Sequence, residues 1–219
     1  MVRDGLYYGI SLLVVAALVW YGTHWVSLTA IPVLLAVFFL WFFRDPNREI
    51  PAGRGLIVSP GDGKVEEAEW IETTAGSRFR VSIFLSVFDV HVNRVPISGK
   101  VTLVEYREGQ FLNAMNPESA ILNEQTLIVI EDGTHSVSFK QIAGLLARRI
   151  VCDLKTGDVV QRGQRMGMIK FGSRVDVLMP ADVELRVKVG DRVHGGSSVL
   201  GVLQGYGEDV AEKSSNGWS

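Results

Sequence analysis

In this chain of 219 residues, covalent chemistry could start at Gly172-Ser173, at Gly196-Ser197, at one of four histidines, or at the single cysteine, Cys152. A serine hydroxyl is a weak nucleophile, so it needs a neighbouring base, and that base needs a group to orient it. His24, His91, His135 and His194 could supply the base, but none falls in an HxxH or HExxH spacing. One cysteine excludes an internal disulfide framework and any multi-cysteine zinc or iron–sulfur site, so no metal centre is expected. Taken singly, each candidate has an ordinary structural reading. Gly172-Ser173 is a turn between strand-like residues 168–171 and 175–179, Asp62 sits in a PxDG-type turn, and His91 is a strand histidine. The net charge of −2, from 22 basic and 24 acidic residues, gives no electrostatic case for nucleic acid as a partner.

The elements that must position these groups differ along the chain. The hydrophobic set makes up 47 % of the residues, which excludes a disordered chain, and much of it lies at the start. Residues 5–43 carry no formal charge and form two apolar stretches, 5–21 and 25–43, parted by Gly22-Thr23-His24. As helices they would be about 26 and 29 Å long, close to the roughly 30 Å of a bilayer core. Trp20, Tyr21 and Trp25 cluster at the turn, where interfacial aromatics belong, and Arg3, Arg44 and Arg48 flank the outer ends. The pattern predicts a membrane-anchoring helical hairpin over 1–43 with both ends in the cytoplasm. Pro32 marks a place for a kink or a late start of the second helix, which would leave a shallow, re-entrant anchor. A second apolar run and the lack of an A-x-A site argue against a cleaved signal peptide.

From residue 44 the texture changes to short alternating runs broken by Gly and Pro. Residues 79–83, 174–177 and 183–187 alternate apolar and polar, as half-buried strands do. Residues 125–131 and 135–139, joined around Asp132-Gly133, read as a hairpin. Residues 141–151 read as a short helix. The form GDxVxxG occurs twice, at Gly157–Gly163 and Gly190–Gly196. In each copy the Gly permits a positive φ, the Asp can accept from nearby backbone N–H groups, and the Val can bury. The fold class is therefore mainly β (α+β): a barrel-sandwich or hammerhead-like domain over 44–219, with ten or more strands, preceded by the helical hairpin. Paired turns of this kind resemble those of lipoyl- and biotinyl-carrier domains. No plausible modified lysine sits at a hairpin tip, so a carrier is set aside.

Several longer blocks follow one another in order. They are Phe43-Arg44-Asp45-Pro46-Asn47-Arg48, Ser59-Pro60-Gly61-Asp62-Gly63-Lys64-Val65 and Phe88-Asp89-Val90-His91-Val92-Asn93-Arg94-Val95-Pro96. Asn123-Glu124, Gln141-Ile142-Ala143-Gly144 and Ala147-Arg148-Arg149-Ile150-Val151 come next. The series ends with Arg162-Gly163-Gln164-Arg165-Met166-Gly167-Met168-Ile169-Lys170-Phe171-Gly172-Ser173-Arg174. In this order and spacing the set closely resembles the short bacterial and archaeal branch of the phosphatidylserine decarboxylase proenzymes, over nearly all of residues 43–205.

The resemblance implies a pyruvoyl-dependent carboxy-lyase that cleaves itself at Gly172-Ser173. The Ser173 hydroxyl would attack the Gly172 carbonyl, and β-elimination would release 1–172 as the β chain. Ser173 would become the pyruvoyl group (covalent pyruvate, the cofactor) heading the α chain, 173–219. By position in the family's motifs, His91 is the base and Asp62 its orienter. The implied reaction is decarboxylation of phosphatidylserine to phosphatidylethanolamine through a Schiff base on the pyruvoyl group. The implied partners are phosphatidylserine, membrane lipids and a heterodimer of the two cleaved chains, with further oligomerisation left open. The implied location is the cell membrane, with the catalytic domain on the cytoplasmic face.

Several points stay open at this level. The longer branch of the family often carries a second histidine three residues after the first, where this chain has Arg94, so whether His91 serves both cleavage and decarboxylation is undecided. Gly196-Ser197-Ser198 looks like the longer branch's cleavage motif, but it lies inside the second GDxVxxG turn, where a structural loop is expected. Archaetidylserine presents the same headgroup chemistry, and a non-enzymatic membrane adaptor would share the anchor and the turns, though not a use for Ser173, His91 and Asp62. Between 148 and 174 seven Lys or Arg stand against two Asp, a balance suited to anionic headgroups or simply to solvated strand edges.

Overall fold

The computed structural model describes residues 3–73, 76–116, 118–145, 149–170 and 172–205. The chain divides into two compact units, 1–47 and 48–219. In the first, α1 (Arg3–Thr23) and α2 (Val26–Phe42) form a hairpin that turns through His24 at φ +54°. Close approach of the two helices depends on missing side chains. A Cβ on Gly5 would lie 2.3 Å from Phe43 Cβ, and one on Gly9 would lie 2.5 Å from Leu40 Cδ2. α1 is long and apolar enough to cross a membrane, whereas α2 is a shorter apolar helix. Trp20, Tyr21 and Trp25 are exposed at the turn, as their placement in the sequence suggests. α2 begins at Val26 and runs through Pro32, so the expected late start at the proline is not observed.

The second unit is mainly β, with an eight-stranded sheet curled into a half-barrel. Its strands in chain order are β1 (Leu56–Val58), β2 (Gly63–Thr73), β3 (Gly76–Leu85), β4 (Val92–Arg94) and β5 (Gly99–Arg107). A short helix, α3 (Ser119–Leu122), precedes β6 (Gln125–Glu131) and β7 (Ser136–Ala143), which make the expected hairpin around Asp132-Gly133. There follow β8 (Ile150–Cys152), β9 (Val159–Val160), β10 (Arg165–Ile169), β11 (Ser173–Met179), β12 (Val183–Leu185), β13 (Arg192–Val193) and β14 (Val199–Leu203). The large sheet runs β13-β2-β3-β11-β7-β6-β5-β9, flanked by the small sheets β1-β14-β12 and β4-β10-β8.

The helix expected over 141–151 is not there. Gln141–Ala143 complete β7 and Ile150–Val151 open β8, while 146–148 lie outside the described residues, as does Phe171 of the strand-like run 168–171. Tertiary pairing overrides the weak local helical preference, because Gln141, Ile142 and Ala143 each find a partner on β11.

The repeated GDxVxxG form organises both ends of the large sheet. In the first copy Gly157 N–H donates to Val101 O and Val101 N–H donates to Asp158 O, each at 2.8 Å. In the second, Gly190 N–H donates to Val65 O at 2.8 Å and Val65 N–H to Asp191 O at 2.9 Å. Each Asp carboxylate closes its own turn, accepting from Lys155 N–H at 2.8 Å and from Lys188 N–H at 3.0 Å. Gly157 and Gly190 take φ +101° and +96°, which an L side chain resists, and Val160 and Val193 are buried. The two copies therefore place β9 beside β5 and β13 beside β2, the two outer positions of the same sheet.

Two further glycines sit at matching places, at the starts of β2 and β5. A Cβ on Gly63 would come 2.2 Å from Phe84 O, and one on Gly99 would come 2.3 Å from Glu131 O. Backbone cannot retreat from such a contact cheaply. Gly63→Ala and Gly99→Ala are each expected to destabilise the second unit by about 1–3 kcal/mol. The check is a shift of the urea midpoint at constant m.

Candidate active site

Ser173 opens β11, the strand between β3 and β7, where it pairs with Leu85 on one side and Ala143 on the other. All seven residues of this strand are buried. Val175, Val177 and Met179 enter the core with Val81, Ile83 and Phe139. The Ser173 side chain is fully buried, and its Oγ has no hydrogen-bond partner among the described residues. A buried hydroxyl without a partner is costly, so its persistence marks a strained or chemically committed position.

The residue before it is held by its neighbours. Gly172 adopts φ +63°, and its carbonyl oxygen packs on Gly144 so closely that a Cβ there would lie 2.3 Å away. The Gly172 N–H donates to His91 Nε2 at 3.1 Å. Because an amide only donates, Nε2 carries the lone pair, and the ring proton sits on Nδ1, which donates to Asp89 O at 3.0 Å. His91 is fully buried, just ahead of β4. A cavity of about 350 Å³ reaches this point, with Phe84, Val87, Phe88, Ala114 and Leu145 around Gly172. The larger cavity of about 600 Å³ is lined by Arg54, Lys100 and Arg162 and contains none of these residues.

The structure therefore brings Gly172, Ser173 and His91 together, and among the described residues no hydrogen bond joins Asp62 to His91. Asp62 lies in the corner between β1 and β2. Its carboxylate accepts from Arg48 Nη2 at 2.6 Å and Gly195 N–H at 2.8 Å, with His194 Nδ1 at 3.3 Å from Oδ2. It ties the second GDxVxxG turn to that corner, and the group that orients His91 through Nδ1 is a backbone carbonyl. Arg94 is buried and donates from Nη1 to Gly163 O at 3.0 Å. Ser197 lies in the second turn, its N–H donating to His194 O at 3.1 Å. Burial pushes the Cys152 thiol up, so it is a poor source of thiolate. Among the described residues no group of three or more His, Cys, Asp and Glu could hold a metal ion.

Other residues that shape the site stand within the ordered sequence blocks, but their types alone do not give their roles. Asn123 Nδ2 donates to Ala143 O at 2.7 Å and to Leu112 O at 2.9 Å, while its Oδ1 accepts from Leu112 N–H at 2.8 Å. Gln141 Nε2 donates to Asn93 Oδ1 at 2.8 Å. These buried amides, like Gly144, act on backbone that only the fold brings near. The face of β11 opposite the core is ionic. Arg174, which follows the serine, bonds Asp176 Oδ1 at 2.6 Å, Glu67 Oε2 at 2.6 Å and Ser82 Oγ at 2.7 Å. The pairings Glu67↔Ser82, Ser82↔Asp176 and Asp176↔Lys140 set these groups in one row across β2, β3, β11 and β7. Burial opposes ionisation of Glu67, but Arg174 and Arg80 outweigh it and hold the carboxyl below its ordinary value. Burial lowers Lys140, with Asp176 opposing.

Comparison with known proteins fits this arrangement. The phosphatidylserine decarboxylase family model matches residues 35–201. A phosphatidylserine decarboxylase proenzyme of Solibacter usitatus is 50 % identical over 203 residues, covering 91 % of this chain and 95 % of that protein. The proenzyme of Symbiobacterium thermophilum is 48 % identical over 198 residues, covering 89 % and 92 %. That of Carboxydothermus hydrogenoformans is 41 % identical over 209 residues, covering 94 % and 97 %.

The ionic row generates two expectations. Arg174 and Asp176 expose only 4 % and 3 % of their side chains, so Asp176→Ala leaves a buried cation short of a partner. It should cost about 3 kcal/mol in denaturant unfolding. Glu67 has a lowered folded pKa, so its contribution is full above about pH 4.5 and is lost as pH falls through the folded value. Between about pH 5 and pH 3, wild-type stability should drop more steeply than that of Glu67→Gln.

Proposed function

This chain belongs to the phosphatidylserine decarboxylase family, and on that premise we propose that it cleaves its own backbone at Gly172-Ser173 to become a pyruvoyl-dependent decarboxylase of phosphatidylserine. The observation that carries the reading is the buried Ser173 hydroxyl, without a partner among the described residues, beside a carbonyl packed on Gly144 and an amide held by His91. These residues fit the formation of such a group.

In the first step Ser173 Oγ adds to the Gly172 carbonyl carbon, and its proton passes to His91 Nε2 once that nitrogen releases the Gly172 amide. The C–N bond breaks, the Ser173 nitrogen takes a proton, and an ester joins Gly172 to the side chain. Loss of the Ser173 α-proton then expels the Gly172 carboxylate from Cβ and leaves an enamine. Its imine form takes up water and loses ammonia, so residues 173–219 begin with a pyruvoyl group and 1–172 end in a carboxylate. A pyruvoyl carbonyl supplies an electron sink for the pair left when a carboxylate departs as carbon dioxide. His91 is placed to hold or deliver a proton at that carbon, and Phe84, Val87, Phe88 and Leu145 line an apolar cavity beside Gly172. Asp62 acts at a distance, by fixing the corner and the 194–196 turn.

The two fragments stay together because β11 remains bonded to β3 and β7, both in the preceding fragment. The same reading assigns the helical hairpin to membrane attachment, with the second unit on the cytoplasmic side where Arg3, Arg44 and Arg48 are favoured. An ether-linked serine lipid presents the same headgroup and is a substrate of the same chemistry. An adaptor would have no use for the Gly172, Ser173 and His91 set.

Mass spectrometry of the purified protein should show a fragment that starts at residue 173, has a blocked amino end, and is lighter by one ammonia than hydrolysis would give. Ser173→Ala should remain one chain and release no labelled carbon dioxide from the serine carboxyl of phosphatidylserine. Gly144→Ala displaces the scissile carbonyl and should slow processing by about 100-fold. A wild-type protein that decarboxylates while uncut would sink the reading.

A further inference from the structure

His91 leaves a loop, residues 86–91, that has no regular structure of its own, yet its ring must face residue 172 with one defined nitrogen. The loop is closed by Asp89. Its Oδ2 accepts from Ser86 N–H at 2.9 Å and Ser86 Oγ at 2.7 Å, and its own N–H donates to Ser86 O at 2.9 Å. The other carboxylate oxygen, Oδ1, accepts from Arg192 Nη1 at 2.8 Å. Arg192 belongs to β13, inside the second GDxVxxG turn, and therefore to the segment that follows Ser173. The carbonyl of this same Asp89 is the acceptor for His91 Nδ1.

We propose that the Arg192–Asp89 pair is a positioning device that fixes the 86–91 loop, so that the Asp89 carbonyl keeps the proton on His91 Nδ1 and the Nε2 lone pair stays turned to residue 172. The inference rests on the self-cleavage reading above and adds a role for two residues that do not touch the reacting atoms. Asp89 exposes 11 % of its side chain and Arg192 64 %, so the anion is largely shielded and the cation reaches it from solvent. Burial opposes the Asp89 charge, but Ser86 and Arg192 outweigh it and hold the carboxyl below its ordinary value, so the pair is ionised at neutral pH. A carbonyl that accepts from Nδ1 selects one imidazole tautomer. The repeated turn thus gains a second use. It caps the sheet, and through Arg192 it links the segment after the cleavage point to the histidine before it, a link that survives cleavage.

The test uses the full chain in detergent micelles. In the Ser173→Ala background, ¹⁵N-histidine spectra, with His91 assigned by His91→Gln, should show protonated Nδ1 and bare Nε2. Arg192→Ala should mix the tautomers, and Arg192→Lys should restore one. With Ser173 present, Arg192→Ala should slow processing about tenfold and Arg192→Lys should recover most of the rate, while the melting temperature stays near wild type because an exposed cation adds little stability. Asp89→Asn, which sets an amide N–H against the Ser86 donors or loses the Arg192 bond, is the second variant and should match Arg192→Ala in both readouts. An unchanged His91 spectrum together with wild-type processing in either variant overturns the proposal. Failure of the self-cleavage reading looks different, since the wild type would then stay uncut while the tautomer measurement still decides the clamp.

Discussion

The pairing of β11 between β3 and β7 is the constraint on which the rest of the molecule depends. It buries Ser173 at the first position of a strand with neighbours on both sides, at Leu85 and Ala143, so the serine cannot turn to water to satisfy its hydroxyl. The same register sets Gly172 against Gly144, where the Gly172 carbonyl has room only because Gly144 bears no side chain. Had the register slipped by one residue, Ser173 would face the ionic row and Arg174 the apolar core.

That register is held from both faces. On one, Val175, Val177 and Met179 interlock with the strands beside them. On the other, Arg174 and Asp176 are tied into a row that runs from Glu67 to Lys140, so a slip would separate opposite charges as well as expose apolar surface. Such a row is a poor source of net stability but a specifier of alignment, which is what the proposed intramolecular attack requires.

The duplicated GDxVxxG turns show how the sheet is bounded. Each supplies a short strand for an outer position and bonds a valine of a long strand through the same two backbone contacts. The copies have diverged in one respect that matters for chemistry. The second carries Arg192, which donates to Asp89, and Gly195, whose N–H donates to Asp62, whereas the first carries Arg162, which donates to the Leu56 and Pro51 carbonyls, and Gly163, whose carbonyl accepts from Arg94.

The charge-free run over 5–43, the alternation of the strands and the twofold GDxVxxG form were legible in the residues alone, because periodicity and turn chemistry are local properties. So was the Gly172-Ser173 pair as the point to watch, through the blocks around it. The end of β7 was not legible, since 141–143 become strand by pairing with β11 and β6. Nor was the partner of His91. Motif order suggested Asp62, but that carboxylate is bound by Arg48 and Gly195, and the imidazole is oriented by a carbonyl two residues away, a contact that leaves no mark on side-chain type. The sequence by itself determined which groups are present and where the chain turns. Only the tertiary structure decided which of them meet, because hydrogen bonds to backbone and contacts permitted by glycine are set by strand register, and register is a property of the whole sheet.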